Sequence, residues 1–312
     1  MTENLDAFKG IIPAFYACYD KNGEVDTEAV KELTSYFIRK EVKGIYVCGS
    51  SGECIYQSVE DRKKTLEAVM SVARGKLTVI VHVACNNTKD SRELAAHAES
   101  LGVDAIASIP PIYFHLPAYS ISDYWNDISS AAPNTPFIIY NIPQLAGTAL
   151  SEALLEKMLE NPRVIGVKNS SMPVQDIQVF KAAGDRKRDP FIVFNGPDEQ
   201  LVSGLTIGAE AGIGGTYGAM PELFLKIYDC VFHDDISKAR EIQYAVNSII
   251  CKLCSGYGNM YAMIKEVLRI REGLDIGGVR KPLTDINEND RILAKEASEM
   301  IDEAITKYCW ED

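Results

Sequence analysis

Short apolar, β-branched runs recur about every 30 positions along this chain, each followed by helical periodicity. That rhythm restricts the fold more than any other feature. The runs occupy residues 10–18, 44–49, 77–84, 105–110, 137–143, 164–170, 191–196 and 211–217. Most are continuously apolar rather than alternating, as expected of strands buried on both faces of a parallel sheet. Parallel neighbours need a crossover between them, and eight strands with helical crossovers is a number that closes on itself. The sequence therefore predicts an α/β fold, a (β/α)8 TIM barrel.

Helix-start signals fall between the runs. Asp26 or Thr27 caps a segment whose apolar stripe continues through Leu33 and Phe37, Ser58 stands three residues before Asp61, and Ser151 and Asp198 open two more. After the eighth run no strand pattern remains, and three helices are expected near 236–252, 259–271 and 289–307. The predicted organisation is a catalytic barrel over 1–234 and a C-terminal helical extension over 235–312. No linker-like composition separates the two, so the extension should pack on the barrel. A net charge of -12 argues against nucleic acid or an anionic membrane surface as partner. No apolar run approaches the roughly 20 residues that span a bilayer. The stretch Met1-Thr2-Glu3-Asn4-Leu5-Asp6 is acidic rather than signal-like, so a cytoplasmic location is expected.

The eight cysteines are dispersed through apolar segments, the pattern of reduced, packed thiols. Cys251-Lys252-Leu253-Cys254 has redox or zinc spacing, but it lies in a helical pattern with no second ligand pair. His82, inside an apolar run, reads as a hydrogen-bonded core or rim histidine rather than a ligand. No metal site is expected.

Polar chemistry collects where the runs end, which in such barrels is the active-site face. Run two ends in Gly49-Ser50-Ser51-Gly52-Glu53, run four in Pro110-Pro111-Ile112-Tyr113, and run five in Tyr140-Asn141-Ile142-Pro143. Run six ends in Lys168-Asn169-Ser170, seven in Asn195-Gly196-Pro197-Asp198-Glu199, and eight in Gly212-Ile213-Gly214-Gly215-Thr216-Tyr217. Burial at a strand end depresses a lysine's pKa, and the free amine of Lys168 can then attack a carbonyl to form a Schiff base. Tyr140, one βα unit earlier, projects from the adjacent strand and can return protons. Ser50 and Ser51 offer hydroxyls to a carboxylate. The glycine-rich exit of run eight fits a phosphate seat as well.

In these motifs the chain resembles the dihydrodipicolinate synthase / N-acetylneuraminate lyase family of class I pyruvate aldolases, over about residues 10–280. The resemblance implies an imine on Lys168, with no separate cofactor, and Tyr140 as proton shuttle. It makes Ser50 and Ser51 the carboxylate-binding pair, with the Gly214 backbone at the pyruvate end. Ser170, Gly196 and Gly215 belong to its substrate-binding set, and Tyr113 is offered across a subunit interface. A homotetramer, a dimer of dimers, is implied, with a 2-keto acid such as pyruvate and a sugar as ligands.

Leu145 occupies the position where the synthase branch places an arginine for the aldehyde's carboxylate, which matches the lyase branch. So do Tyr56-Gln57-Ser58 and the acids Asp198 and Glu199, which in sialate lyases bind the polyol tail. Pro197 replaces a tyrosine, Gly215 a common serine, Ala17-Cys18-Tyr19 a Thr-Pro-Phe, and Ser50-Ser51 a serine–threonine pair. A looser grip on the tail is expected. The resemblance thus implies an N-acetylneuraminate lyase; its alternatives are a 2-keto-3-deoxy sugar acid aldolase, a dihydrodipicolinate synthase without its arginine, and a non-catalytic ligand-binding member.

Overall fold

In a computed structural model, which describes residues 5–188 and 190–310, eight parallel strands form one ring. They are β1 (Gly10–Pro13), β2 (Gly44–Val47), β3 (Thr78–His82), β4 (Ala105–Ser108), β5 (Phe137–Asn141), β6 (Val164–Asn169), β7 (Ile192–Asn195) and β8 (Ala211–Gly214). Each pairs in parallel with its sequence neighbour, and β8 pairs with β1. A parallel bridge between Ala14 and Tyr46 completes the ring, with the Phe15 N–H donating to the Tyr46 carbonyl at 2.9 Å. The acidic stretch Met1-Thr2-Glu3-Asn4 lies outside the described residues.

The run at 10–18 is strand only as far as Pro13. Beyond it the backbone leaves the ladder for other loops: the Ala17 N–H donates to Ser51 at 3.3 Å and the Tyr19 N–H to Ile276 at 3.1 Å. Its apolar character reflects burial beneath those loops rather than strand pairing.

Alternation divides the interior into two cores. Ile12, Tyr46, Ile80, Ile138 and Phe194 fill the barrel, and Leu5 and Phe8 join them from the turn that precedes β1. Outward residues such as Val47, Ile106 and Ile139 pack under the helices. Those helices are α1 (Thr27–Arg39), α2 (Val59–Ala73), α3 (Thr88–Leu101), α4 (Ala118–Ser130), α5 (Pro143–Ala146), α6 (Glu152–Met158), α7 (Gln175–Lys187), α8 (Leu201–Thr206) and α9 (Pro221–Phe232). Asp26 caps α1, Ser58 and Asp61 form a reciprocal capping box on α2, and Ser151 caps α6. Asp198, in contrast, opens a 3-10 turn without capping it.

Three helices follow: α10 (Ile236–Leu253), α11 (Met260–Glu272) and α12 (Glu288–Cys309). Their apolar faces, with Ile242, Val267 and Ile301, are part of the outer core. No helix among the described residues is long and apolar enough to cross a membrane.

Candidate active site

Lys168 and Tyr140 are register partners across β5 and β6, both facing into the barrel. A bulge makes this possible. Phe137 pairs with Val164 but Ile138 pairs with Gly166, so β6 carries one extra residue. Counting by twos from the inward Ile165 puts Lys168 on the outer face; the bulge resets the alternation and turns it inward.

There Lys168 is 4% exposed. Its Nζ lies 3.9 Å from the Tyr140 ring centroid and 4.1 Å from that of Tyr46. Burial lowers its pKa to about 7, against the pull of the Asp198 carboxylate towards the charged form. The aromatic faces oppose burial in the same sense. A substantial fraction of free amine is therefore present at neutral pH.

Burial pushes the Tyr140 phenol up to about 12, although the neighbouring hydroxyls of Ser50 and Ser170 favour its ionised form. With little phenolate present at neutral pH, this hydroxyl is suited to relaying protons. His82 packs edge-on against Tyr140, with ring centroids 6.0 Å apart. Its Nδ1 is 3.1 Å from the Cys48 carbonyl and its Nε2 accepts the Ile109 N–H at 3.4 Å, the pattern of a neutral ring. Burial holds its pKa well below the usual value, so it serves as floor rather than as an acid.

A cavity of about 310 Å³ opens above Lys168. Ser50, Ser51, Tyr140, Ser170, Gly196 and Gly215 line it, and Leu145, Pro197, Asp198 and Glu199 also contribute. Lys168 is the single cation among these described lining residues. Leu145 stands 65% exposed at the rim.

Asp198 lines the cavity and is also engaged by its neighbours. Its carboxylate is buried and accepts the Gly215 N–H at 3.2 Å, the Thr216 N–H at 2.6 Å and the Thr216 hydroxyl at 2.5 Å. Burial raises its pKa to about 6. It ties the end of β7 to the exit of β8, leaving the exposed Glu199 as the freer acceptor. Gly214 is not among the lining residues. Its carbonyl accepts the Ala14 N–H at 2.9 Å, and a side chain there would strike Asp198 Oδ1 at 2.2 Å. Tyr113 is also elsewhere, 86% exposed beside Asn86 and Phe114.

Three contributors escaped sequence reasoning. Tyr46 points inward between the outward Ile45 and Val47 of β2 and could have been found by counting. Thr216 completes the Asp198 network. Tyr261, on α11, enters the cavity beside Ser51, and no local signal announces it. A side chain at Gly215 would come within 3.4 Å of Ser51 Oγ and 4.0 Å of Tyr261 Oη. Tyr261 thus brings a hydroxyl close to where a serine at 215 would have placed one.

Cys251 and Cys254 are free thiols, exposed at the end of α10. Among the described residues no group of three or more His, Cys, Asp or Glu side chains is placed to hold a metal.

A family model for the dihydrodipicolinate synthetase family matches residues 7–300. The chain belongs to that family. It is 65% identical over 305 residues to an N-acetylneuraminate lyase of Mediterraneibacter gnavus, covering 98% of this chain and 96% of that protein. It is 33% identical over 297 residues to N-acetylneuraminate lyase 2 of Escherichia coli O6:H1, with 95% of each covered. The wild-type sialic acid aldolase of Ruminococcus gnavus superposes with a TM-score of 0.95 at 64% identity, over 97% of this chain and 100% of that one. That structure thus shares this chain's barrel and its attached helices.

Proposed function

We propose that the protein is an N-acetylneuraminate lyase, which cleaves sialic acid reversibly to pyruvate and N-acetylmannosamine through an imine on Lys168. The observation that carries this reading is the 65% identity to a lyase of that name over 98% of the chain. The buried amine of Lys168, with its pKa near 7, supports the chemistry independently.

In the cleavage direction the Lys168 amine attacks the C2 carbonyl of the open-chain substrate. Water leaves and a protonated imine remains. Removal of the C4 hydroxyl proton, relayed by Tyr140, lets that oxygen become an aldehyde as the C3–C4 bond breaks. The bonding pair moves into the iminium to give an enamine, and N-acetylmannosamine departs. Protonation at C3 followed by hydrolysis releases pyruvate and restores the amine. Ser50 and Ser51 hold the substrate carboxylate, which keeps C2 in line with Nζ.

Leu145 leaves no cation to grip a second carboxylate, and Lys168 is the single cation among the described lining residues. Glu199 suits a neutral, polyhydroxylated partner and repels an anionic one. The purified enzyme is therefore expected to release pyruvate from N-acetylneuraminate, read by a lactate dehydrogenase couple, and not to condense pyruvate with aspartate semialdehyde. If N-acetylneuraminate is inert and a 2-keto-3-deoxy sugar acid is cleaved, the substrate assignment is wrong and the aldolase chemistry stands. Glu199→Gln should raise KM for N-acetylneuraminate roughly tenfold, the value of a hydrogen bond to a charged group. Imine formation with pyruvate should be unchanged in that variant, and an unaltered KM would remove Glu199 from the tail site.

In the same reading the enzyme works as a dimer of dimers in the cytoplasm, with the exposed Tyr113 and Phe114 covered by a second copy. Free thiols and an acidic surface suit that compartment.

A further inference from the structure

One buried ion pair joins the helical extension to the serine-bearing loop. Glu53 ends the turn Gly49-Ser50-Ser51-Gly52-Glu53 with φ of +53°, a left-handed conformation that a side-chain-bearing residue keeps only when its surroundings hold it. Here the carboxylate is the tether. Oε1 accepts from Lys265 Nζ at 3.0 Å, and Oε2 accepts the Arg280 N–H at 2.8 Å. Lys265 lies on α11 and Arg280 in the segment before α12. The two charged side chains of the pair are 2% and 0% exposed.

The tether is itself braced. Lys265 also donates to the Gly278 carbonyl and sits 5.0 Å from the Tyr19 ring centroid. The Arg280 guanidinium lies 4.7 Å from the same ring and donates to Asp61 at 2.8 Å, Tyr56 at 3.1 Å and Gly23 at 2.8 Å. The ring of Tyr19 stands at the centre of this contact, where the Thr-Pro-Phe it departs from also ends in an aromatic residue; the departure adds a hydroxyl, which accepts from Gln57 at 3.1 Å. Within the loop, the Glu53 N–H donates to the Ser50 carbonyl at 3.0 Å, so a shift of Glu53 is passed to Ser50. One helical turn before Lys265, Tyr261 stands against Ser51. The extension therefore reaches the serine pair at two points on one face of α11.

A buried ion pair is a weak fastener, because desolvation offsets its Coulomb attraction and apolar side chains of equal volume join helices as well. What it adds is direction. We propose that Lys265 and Glu53 are positioning residues that set the hydroxyls of Ser50 and Ser51 for the keto acid's carboxylate, making the extension part of the catalytic apparatus. This rests on the imine-forming reading given above.

The test is the pyruvate concentration that half-saturates borohydride trapping on Lys168, measured for the full chain, Glu53→Gln and Lys265→Met beside their thermal unfolding. Misplacement by about 1 Å can cost on the order of 10²-fold, and a loosened loop is expected to raise half-saturation roughly tenfold or more. The trapped amount at saturating pyruvate should stay at the wild-type level, a split that a general loss of folding does not produce. If either single variant does not fold, the double variant Glu53→Gln/Lys265→Met, which leaves no unpaired buried charge, takes its place with the same expectation. Folded variants with wild-type half-saturation overturn the proposal and reduce the pair to a fastener. A wild-type chain that takes no adduct at any pyruvate concentration overturns the imine reading, and the proposal with it.

Discussion

Replacing Lys168 by alanine is expected to lower kcat/KM for N-acetylneuraminate by on the order of 10⁴-fold or more and to abolish the adduct that borohydride traps from pyruvate. In the proposed mechanism the amine forms the covalent bond on which every later step depends, and no second lysine lines the cavity among the described residues. Lys168→Arg should be equally inactive, because a guanidinium stays protonated and is no nucleophile at neutral pH. The pH dependence follows from burial, which lowers the pKa to about 7. The free amine is the deprotonated form, so imine formation should rise as pH increases through about 7 and level off above it. An amine at its ordinary value of 10.5 would still be gaining at pH 9. Peptide mapping that locates the trapped pyruvate on another lysine would remove Lys168 from the mechanism.

The second large effect belongs to Tyr140. Tyr140→Phe should cut kcat by roughly 10²–10⁴, the usual contribution of a positioned general acid or base. Half-saturation by pyruvate should move much less. Phenylalanine keeps the ring whose face lies 3.9 Å from Lys168 Nζ, so the substitution isolates the hydroxyl. That hydroxyl stands beside Ser50 and Ser170, which gives protons a route along three side chains. An unchanged kcat would transfer the shuttle to another group, with Tyr113 of a second copy in the proposed dimer of dimers the next candidate.

The apolar runs numbered the strands correctly because a strand buried on both faces must be apolar along its whole length. Helical periodicity placed α10, α11 and α12 to within two residues at each end, since amphipathic faces are written into local spacing. Even the pairing of Tyr140 with Lys168 was legible, because successive strands of such a barrel are neighbours. Each of these properties is local or follows from chain order.

Other features were decided only by the tertiary structure. The bulge in β6 that turns Lys168 inward depends on how Phe137 and Ile138 meet Val164 and Gly166 across the sheet. Asp198 looked like a helix-opening acid, and it instead opens a 3-10 turn and accepts three hydrogen bonds from Gly215 and Thr216 at the exit of β8. Tyr261 and Lys265 come from a helix that carries no motif. The bond between Lys265 and Glu53 spans 212 positions of sequence. Local patterns specify elements and the faces they bury; which distant side chain completes a buried hydrogen bond is settled only when those faces pack.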